Sequence, residues 1–177
     1  MEVLNHKEFK VTDEMLASKG RRFLNMIIDR IVFYLIFALI GVLLGLIFSL
    51  VGYEEGIIWI ENLSYITPLL DYLITFLAMF AYFMILESLV SRTIGKALTK
   101  TIVVLENGEK PTPKDIAIRT ISRFVPFDPF SFLGDPSRGW HDSWSNTYVV
   151  REDILQEYKI LHQRFLDLGE KTTPVID

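Results

Sequence analysis

There is no cysteine among the 177 residues. That absence excludes disulfides, thiolate catalysis and cysteine-based metal sites, and it leaves the redox compartment unread. A basic surplus is also missing: 18 Lys and Arg stand against 22 Asp and Glu, for a formal net charge of −4. Nucleic-acid-binding chains show clustered positive charge, so no nucleic-acid partner is expected. The sequence has no glycine-rich phosphate loop and no zinc-ligand spacing, and neither cofactor nor metal is expected. Residues 1–25, MEVLNHKEFKVTDEMLASKGRRFLN, hold four acids but neither a signal-peptide apolar segment nor a small-residue cleavage site. The first apolar run is therefore expected to remain in the mature protein.

What is present is apolar surface. Half of the residues are hydrophobic and the mean hydropathy is +0.31, values that point to a membrane class. The excess lies between residues 26 and 90. Residues 26–51 (MIIDRIVFYLIFALIGVLLGLIFSLV) and 69–90 (LLDYLITFLAMFAYFMILESLV) are each long enough, at 1.5 Å per residue, to cross a hydrocarbon core of about 30 Å. Without water the backbone must satisfy itself, so both are predicted to be helices. Lys19, Arg21 and Arg22 precede the first run; Arg92, Lys96 and Lys100 follow the second; the connecting GYEEGIIWIENLSYITP has no Lys or Arg. The positive-inside rule then places both termini in the cytoplasm and the connection outside, with Tyr53, Trp59 and Tyr65 in the outer aromatic belt and IIWI along the membrane surface.

Beyond the second span, Asn107-Gly108 marks a tight turn after the β-branched TIVV. Thr112, Pro113 and Asp115 read as N-cap, first helical residue and capping acid. The helix they open groups Ile116, Ala117, Thr120, Ile121 and Phe124 on one face and sets Lys114, Arg119 and Arg123 elsewhere, as for an amphipathic helix on the inner membrane surface or on the spans. The Phe- and Pro-rich PFDPFSFLGDP is too short to span and is read as an interfacial or re-entrant turn. NTYVV is expected to pair with TIVV in a minimal sheet. Residues 152–168 form an amphipathic helix with Ile154, Leu155, Tyr158, Leu161, Phe165 and Leu168 on one side, stopped by Gly169, and the tail after it is read as disordered. The expected architecture is thus a membrane α-helical fold: two transmembrane helices and a cytoplasmic or interfacial part of amphipathic helices with a minimal β element. Its units are a polar leader (1–17), a membrane domain (18–150) and a C-terminal helix and tail (151–177).

These residues resemble the RDD family of small bacterial membrane proteins, named for one arginine and two aspartates. The family's R-x6-D matches Arg22 and Asp29. Its G-R-T-x-G-K segment is similar to SRTIGKALTKTIVV, with Arg92, Thr93, Gly95 and Lys96 in place. Its arginine-bearing helix resembles IRTISRF, with Arg119 and Arg123. Its late aspartate falls on Asp142 in GWHDSWSNTYVV, with Thr147 following, although HDSWSN departs from the basic, small-residue run of the family. The resemblance implies a multi-pass protein of the bacterial inner membrane, with transport of ions or small solutes as the usual suggestion.

Arg22, Asp29, Arg92, Arg119, Arg123 and Asp142 are accordingly expected to gather in an inner-leaflet charged cluster. Arg22 and Asp29 lie seven apart, within about 20° on one helix face and about 10 Å along the axis. An acid inside a span faces protein or a watery cavity. Asp29 is therefore read either as paired with Arg30, Arg92, Arg119 or Arg123, or as a protonatable or cation-binding site, with Glu87 at similar depth as a second carboxylate or as a partner of Arg92. Lys114, Arg119 and Arg123 read as a basic inner rim or as contacts for lipid headgroups. Gly41 and Gly45 form a small-residue spacing suited to close helix packing. His141, Asp142 and Ser143 are adjacent and cannot converge as a triad, so no enzymatic activity is expected. Two function classes remain. One is a solute- or ion-transporting membrane protein acting as a homo-oligomer or with a membrane partner; the other is a non-catalytic assembly or scaffold protein that recruits a partner.

Overall fold

The computed structural model describes residues 8–63 and 67–172, so Tyr65 and the last five residues of the tail lie outside the described residues. The first span is α1 (Lys19–Val51), capped by Ser18, whose Oγ accepts from Arg21 N, and closed at Gly52 in the left-handed region. It begins seven residues before the apolar run and at 33 residues is about 50 Å long. Its first two turns therefore project beyond the hydrocarbon. The short α2 (Glu54–Leu63) follows and contains the IIWI segment. The second span, α3 (Pro68–Val90), starts with proline at its first turn and ends at Ser91 in the left-handed region. Both α1 and α3 are long and apolar enough to cross a membrane, and 6% of each apolar window is buried.

What these two helices bury is the reverse of a soluble core. The buried residues of α1 are Arg22, Asn25, Asp29 and Phe33, spaced three or four apart on one stripe; in α3 the buried residue is Glu87. Apolar side chains face outward, as lipid demands, while polar ones turn to the protein. Gly41 and Gly45 both face open space, with nothing within 4 Å of where a Cβ would stand. Within one chain, then, they bring no helix close.

After α3 the chain makes α4 (Ile94–Leu98) and β1 (Thr101–Leu105). Then come α5 (Pro113–Ser122), α6 (Asp128–Ser131), α7 (Trp140–Trp144), β2 (Thr147–Arg151) and α8 (Glu152–Thr172). TIVV and TYVV pair as expected, antiparallel, with Val103 opposite Val149 and Thr101 opposite Arg151. The turn after β1 closes on Gly108 at φ +73°. α5 carries the full capping box, with Thr112 and Asp115 bonded reciprocally.

The two-stranded sheet has two kinds of face. On one, Val104 and Val150 pack with Met15 and Leu155, surrounded by Phe9, Leu16 and Tyr158. Residues 9–17 thus do more than lead into the membrane: Val11 N donates to Glu106 O, Ala17 N donates to Val149 O, and Leu16 bridges Val150. The apolar residues that make this segment stick are sparse among charges, which is why it reads as polar. α8 runs on through Gly169 to Thr172. It packs through Leu155, Tyr158 and His162, the last edge-on to Phe9, while Leu161 and Phe165 of the expected apolar side stay exposed.

Candidate functional site: a buried ion network beneath an intramembrane cavity

The other face of the sheet looks onto polar side chains. Asn25 of α1 lies within hydrogen-bonding distance of the Thr99 and Thr101 hydroxyls, and Thr147 of β2 accepts from Arg119 Nη1 at 2.7 Å. From here an ion network extends through the base of the spans. Asp142 takes Arg22 on one oxygen and Arg119 on the other. Arg119 reaches Glu87 at 3.2 Å, in a charge contact not aligned as a hydrogen bond. Lys96 and Arg123 both donate to Glu87 Oε1, at 2.9 and 2.6 Å. α1, α3, α4, α5 and α7 each supply one of these groups, and Arg123 follows directly on α5 as its C-cap.

Asp29 is held differently. Its Oδ2 accepts from the Thr93 hydroxyl at 2.6 Å and its Oδ1 from the Gly95 N–H at 2.8 Å and, more distantly, from the Tyr82 hydroxyl. It makes no ion pair among the described residues, so the expected pairing with Arg30, Arg92, Arg119 or Arg123 does not occur. Arg30 is exposed. Arg92 lies outside the network and pairs with Glu152 of α8 at 2.8 Å. Arg119 and Arg123 go to Glu87 and Asp142, which also removes them from the expected inner rim: Arg119 is fully buried. Sequence periodicity put Ile121 on the buried face of α5, but Ile121 is exposed and Arg119 takes the inside. Two buried carboxylates reward an arginine there more than a lipid-facing helix rewards an isoleucine. Glu87 has three cations around it, not Arg92 and not a second carboxylate sharing a proton.

Sequence reasoning left Lys96, Asp128 and His141 out of the cluster. His141 Nδ1 lies 2.7 Å from Asp128 Oδ2, and Asp128 Oδ1 accepts from the His141 backbone N–H. With Nδ1 donating to Asp128, Nε2 is free to accept from Arg22 Nη2 at 3.3 Å. The signal was there: Asp128 is the lone ionisable residue between Arg123 and Asp135 in an apolar, proline-broken stretch, and such an acid needs a buried partner. Ser143 bonds to Gly139 O and takes no part.

Electrostatics bind the group together. Burial acts to raise the Asp142 pKa, but Arg119 and Arg22 and the Gly139 N–H hold it well below the usual carboxylate range. Burial acts to lower that of Arg119, and Asp142 and Glu87 overcome it. For Lys96 burial wins over Glu87 and the pKa is lowered. Burial likewise pushes His141 down to about 4, so it is neutral near pH 7. Arg22, Lys96, Arg119 and Arg123 thus share two carboxylates, Glu87 and Asp142, while Asp128 meets the neutral His141.

Above it lies a cavity of about 330 Å³ between α1, α3 and residues 124–132. Met26, Phe33, Phe76, Met79 and Phe83 contribute to its apolar walls, while Arg22, Asp29, Lys96, Arg119, Arg123 and His141 line its polar end. Among the described residues no group of His, Asp or Glu is arranged to hold a metal ion.

The RDD family model matches residues 16–148. This chain belongs to the RDD family. No curated protein and no solved structure matches the chain. The arginine and two aspartates that the resemblance sets on Arg22, Asp29 and Asp142 fall into two groups. Arg22 and Asp142 meet directly across 120 residues of sequence, whereas Asp29 docks on the Thr93–Gly95 turn and borders the cavity. In this RDD protein Arg22 and Asp142 form a buried ion pair, whereas Asp29 makes no ion pair among the described residues and is held by hydroxyl and backbone donors.

Proposed function

We propose that this RDD protein is a non-catalytic, multi-pass protein of the bacterial inner membrane, with both termini cytoplasmic, that supports movement of an ion or small solute through the cavity between its spans. The observation that carries the reading is Asp29. Glu87 and Asp142 are met by arginine or lysine and Asp128 by His141, while Asp29 lines the cavity with only hydroxyl and backbone donors on it. A carboxylate so placed is free to exchange a proton or meet a cation, and the ion network beneath it acts as a rigid floor. Two spans enclose one side of a path, so the working unit is a homo-oligomer or includes a membrane partner.

The test is flux in proteoliposomes. Proton and monovalent-cation flux by the wild type is compared with Asp29→Asn, which keeps the acceptor for Thr93 and Gly95 but loses the charge. The expected result is at least a tenfold loss of flux in a variant that elutes and melts like the wild type. Equal flux from the two proteins, or none from well-folded wild type, contradicts the reading. The second reading, a scaffold that recruits a partner, draws support from α8, whose Ile160, Leu161 and Phe165 are exposed. Wild type without flux would favour it.

A further inference from the structure

We propose that residues 113–145 form a re-entrant hairpin, which enters the bilayer from the side on which both termini lie and beds Phe127, Phe130 and Leu133 in acyl chains. It then returns without crossing. The first observation is a climb along α3. Lys110 Nζ donates to Leu89 O at the helix end. Arg119 and Arg123 then meet Glu87, the Arg123 guanidinium lies over the Phe83 ring at 4.1 Å, and the Phe124 ring stands 4.1 Å from that of Phe76. Leu89 to Phe76 is about 20 Å of helix. As the chain runs from 110 to 124 it therefore rises through more than half of a hydrocarbon core of about 30 Å.

The second observation is backbone satisfaction, which lipid requires of any irregular segment. Arg123 N donates to Arg119 O, Phe124 N to Ile121 O, Val125 N to Ser122 O, Asp128 N to Val125 O, Phe130 N to Phe127 O, and Leu133 N to Phe130 O. Pro126 and Pro129 have no N–H to satisfy. Overlapping turns thus satisfy these six N–H groups within the segment itself. The third is charge: between Arg123 and Asp135 the one ionisable residue is Asp128, 1% exposed and turned inward to His141. What faces outward is apolar, with Phe127 74%, Phe130 57% and Leu133 48% exposed. In water such a patch would be an aggregation liability; beside two lipid-facing spans it continues their surface. Where the hairpin comes back down, the stacked rings of Trp140 and Trp144 are exposed, the residue type that sits at the headgroup level.

The occupant of this surface is lipid chain, and the cysteine-free sequence makes that testable. Single-cysteine variants Phe127→Cys, Leu133→Cys and Gln156→Cys, the last on the exposed side of α8, carry an environment-sensitive fluorophore in proteoliposomes. Two quenchers are compared: iodide on both sides of the bilayer, and phosphatidylcholine brominated on its acyl chains. Labels at 127 and 133 are expected to be quenched several-fold more by brominated chains than by iodide, with the order reversed at 156. Iodide quenching at 127 and 133 equal to that at 156 would overturn the hairpin. Protection from both quenchers would overturn it too, since it would mean that protein, a second copy or a partner, covers the tip.

Discussion

Asp142 and Asp29 are both buried carboxylates, but different donors hold them. Two guanidiniums and a backbone N–H fill the lone pairs of Asp142, and removing one partner from such a group costs about 3–5 kcal/mol because a buried charge is left uncompensated. Asp29 relies on the Thr93 and Tyr82 hydroxyls and the single N–H of Gly95, neutral dipoles that attract a negative charge without cancelling it. His141 adds a neutral member. Its pKa of about 4 in the fold lies below the 6.5 of an exposed histidine, so between about pH 4 and 6.5 the unfolded chain binds a proton that the folded one does not. Stability is therefore complete above about pH 6.5 and falls as pH is lowered through that window, by about 3 kcal/mol in all. Asp142 contributes its own loss only below the ordinary carboxylate pKa, at lower pH. Thermal unfolding in detergent from pH 7 to 4 should show this slope in the wild type and a much flatter one in His141→Gln; parallel slopes would contradict the assignment.

At the scale of elements, the joint between α1 and α4 depends on a missing side chain. A Cβ on Gly95 would stand 2.6 Å from the Asn25 carbonyl oxygen and 2.9 Å from Asp29 Oδ1, and the nearest obstacle is backbone that cannot rotate aside. Gly95→Ala is expected to push α4 off α1, weaken the Gly95 N–H bond to Asp29, and destabilise the protein by about 1–3 kcal/mol. A melting temperature unchanged from wild type would refute that account of the joint. The elements themselves were legible. Long apolar runs marked α1 and α3, the Thr112–Asp115 box marked α5, and the β-branched pairs TIVV and TYVV marked the strands, because each is a local signal. The inward face of α5 was not legible. Helix periodicity ranks isoleucine above arginine for burial, and only the folded positions of Glu87 and Asp142, 32 residues before and 23 after, reverse that ranking. The same holds for Asp29, whose partners Thr93 and Gly95 carry no charge to advertise the contact.

Across the whole molecule, the polar interior and apolar exterior of the membrane part follow from the solvent. Lipid offers no reward for burying leucine between helices, so specificity must come from groups that lipid rejects. Arg22, Lys96, Arg119 and Arg123 meet Glu87 and Asp142, drawing together both spans, the hairpin and the turn after α3, and Arg119 on Thr147 and Asn25 on Thr101 join these parts to the sheet. The cavity and the acid that borders it rest on that joint. Its central link is Arg22 to Asp142, from the start of the first span to the far leg of the hairpin, and a double-mutant cycle measures it directly. Unfolding free energies of the wild type, Arg22→Met, Asp142→Asn and the double variant should give a coupling of about 1–3 kcal/mol, with the double variant less damaged than the sum of the singles. Additivity to within about 0.3 kcal/mol would mean that the two residues act independently, and would contradict the account.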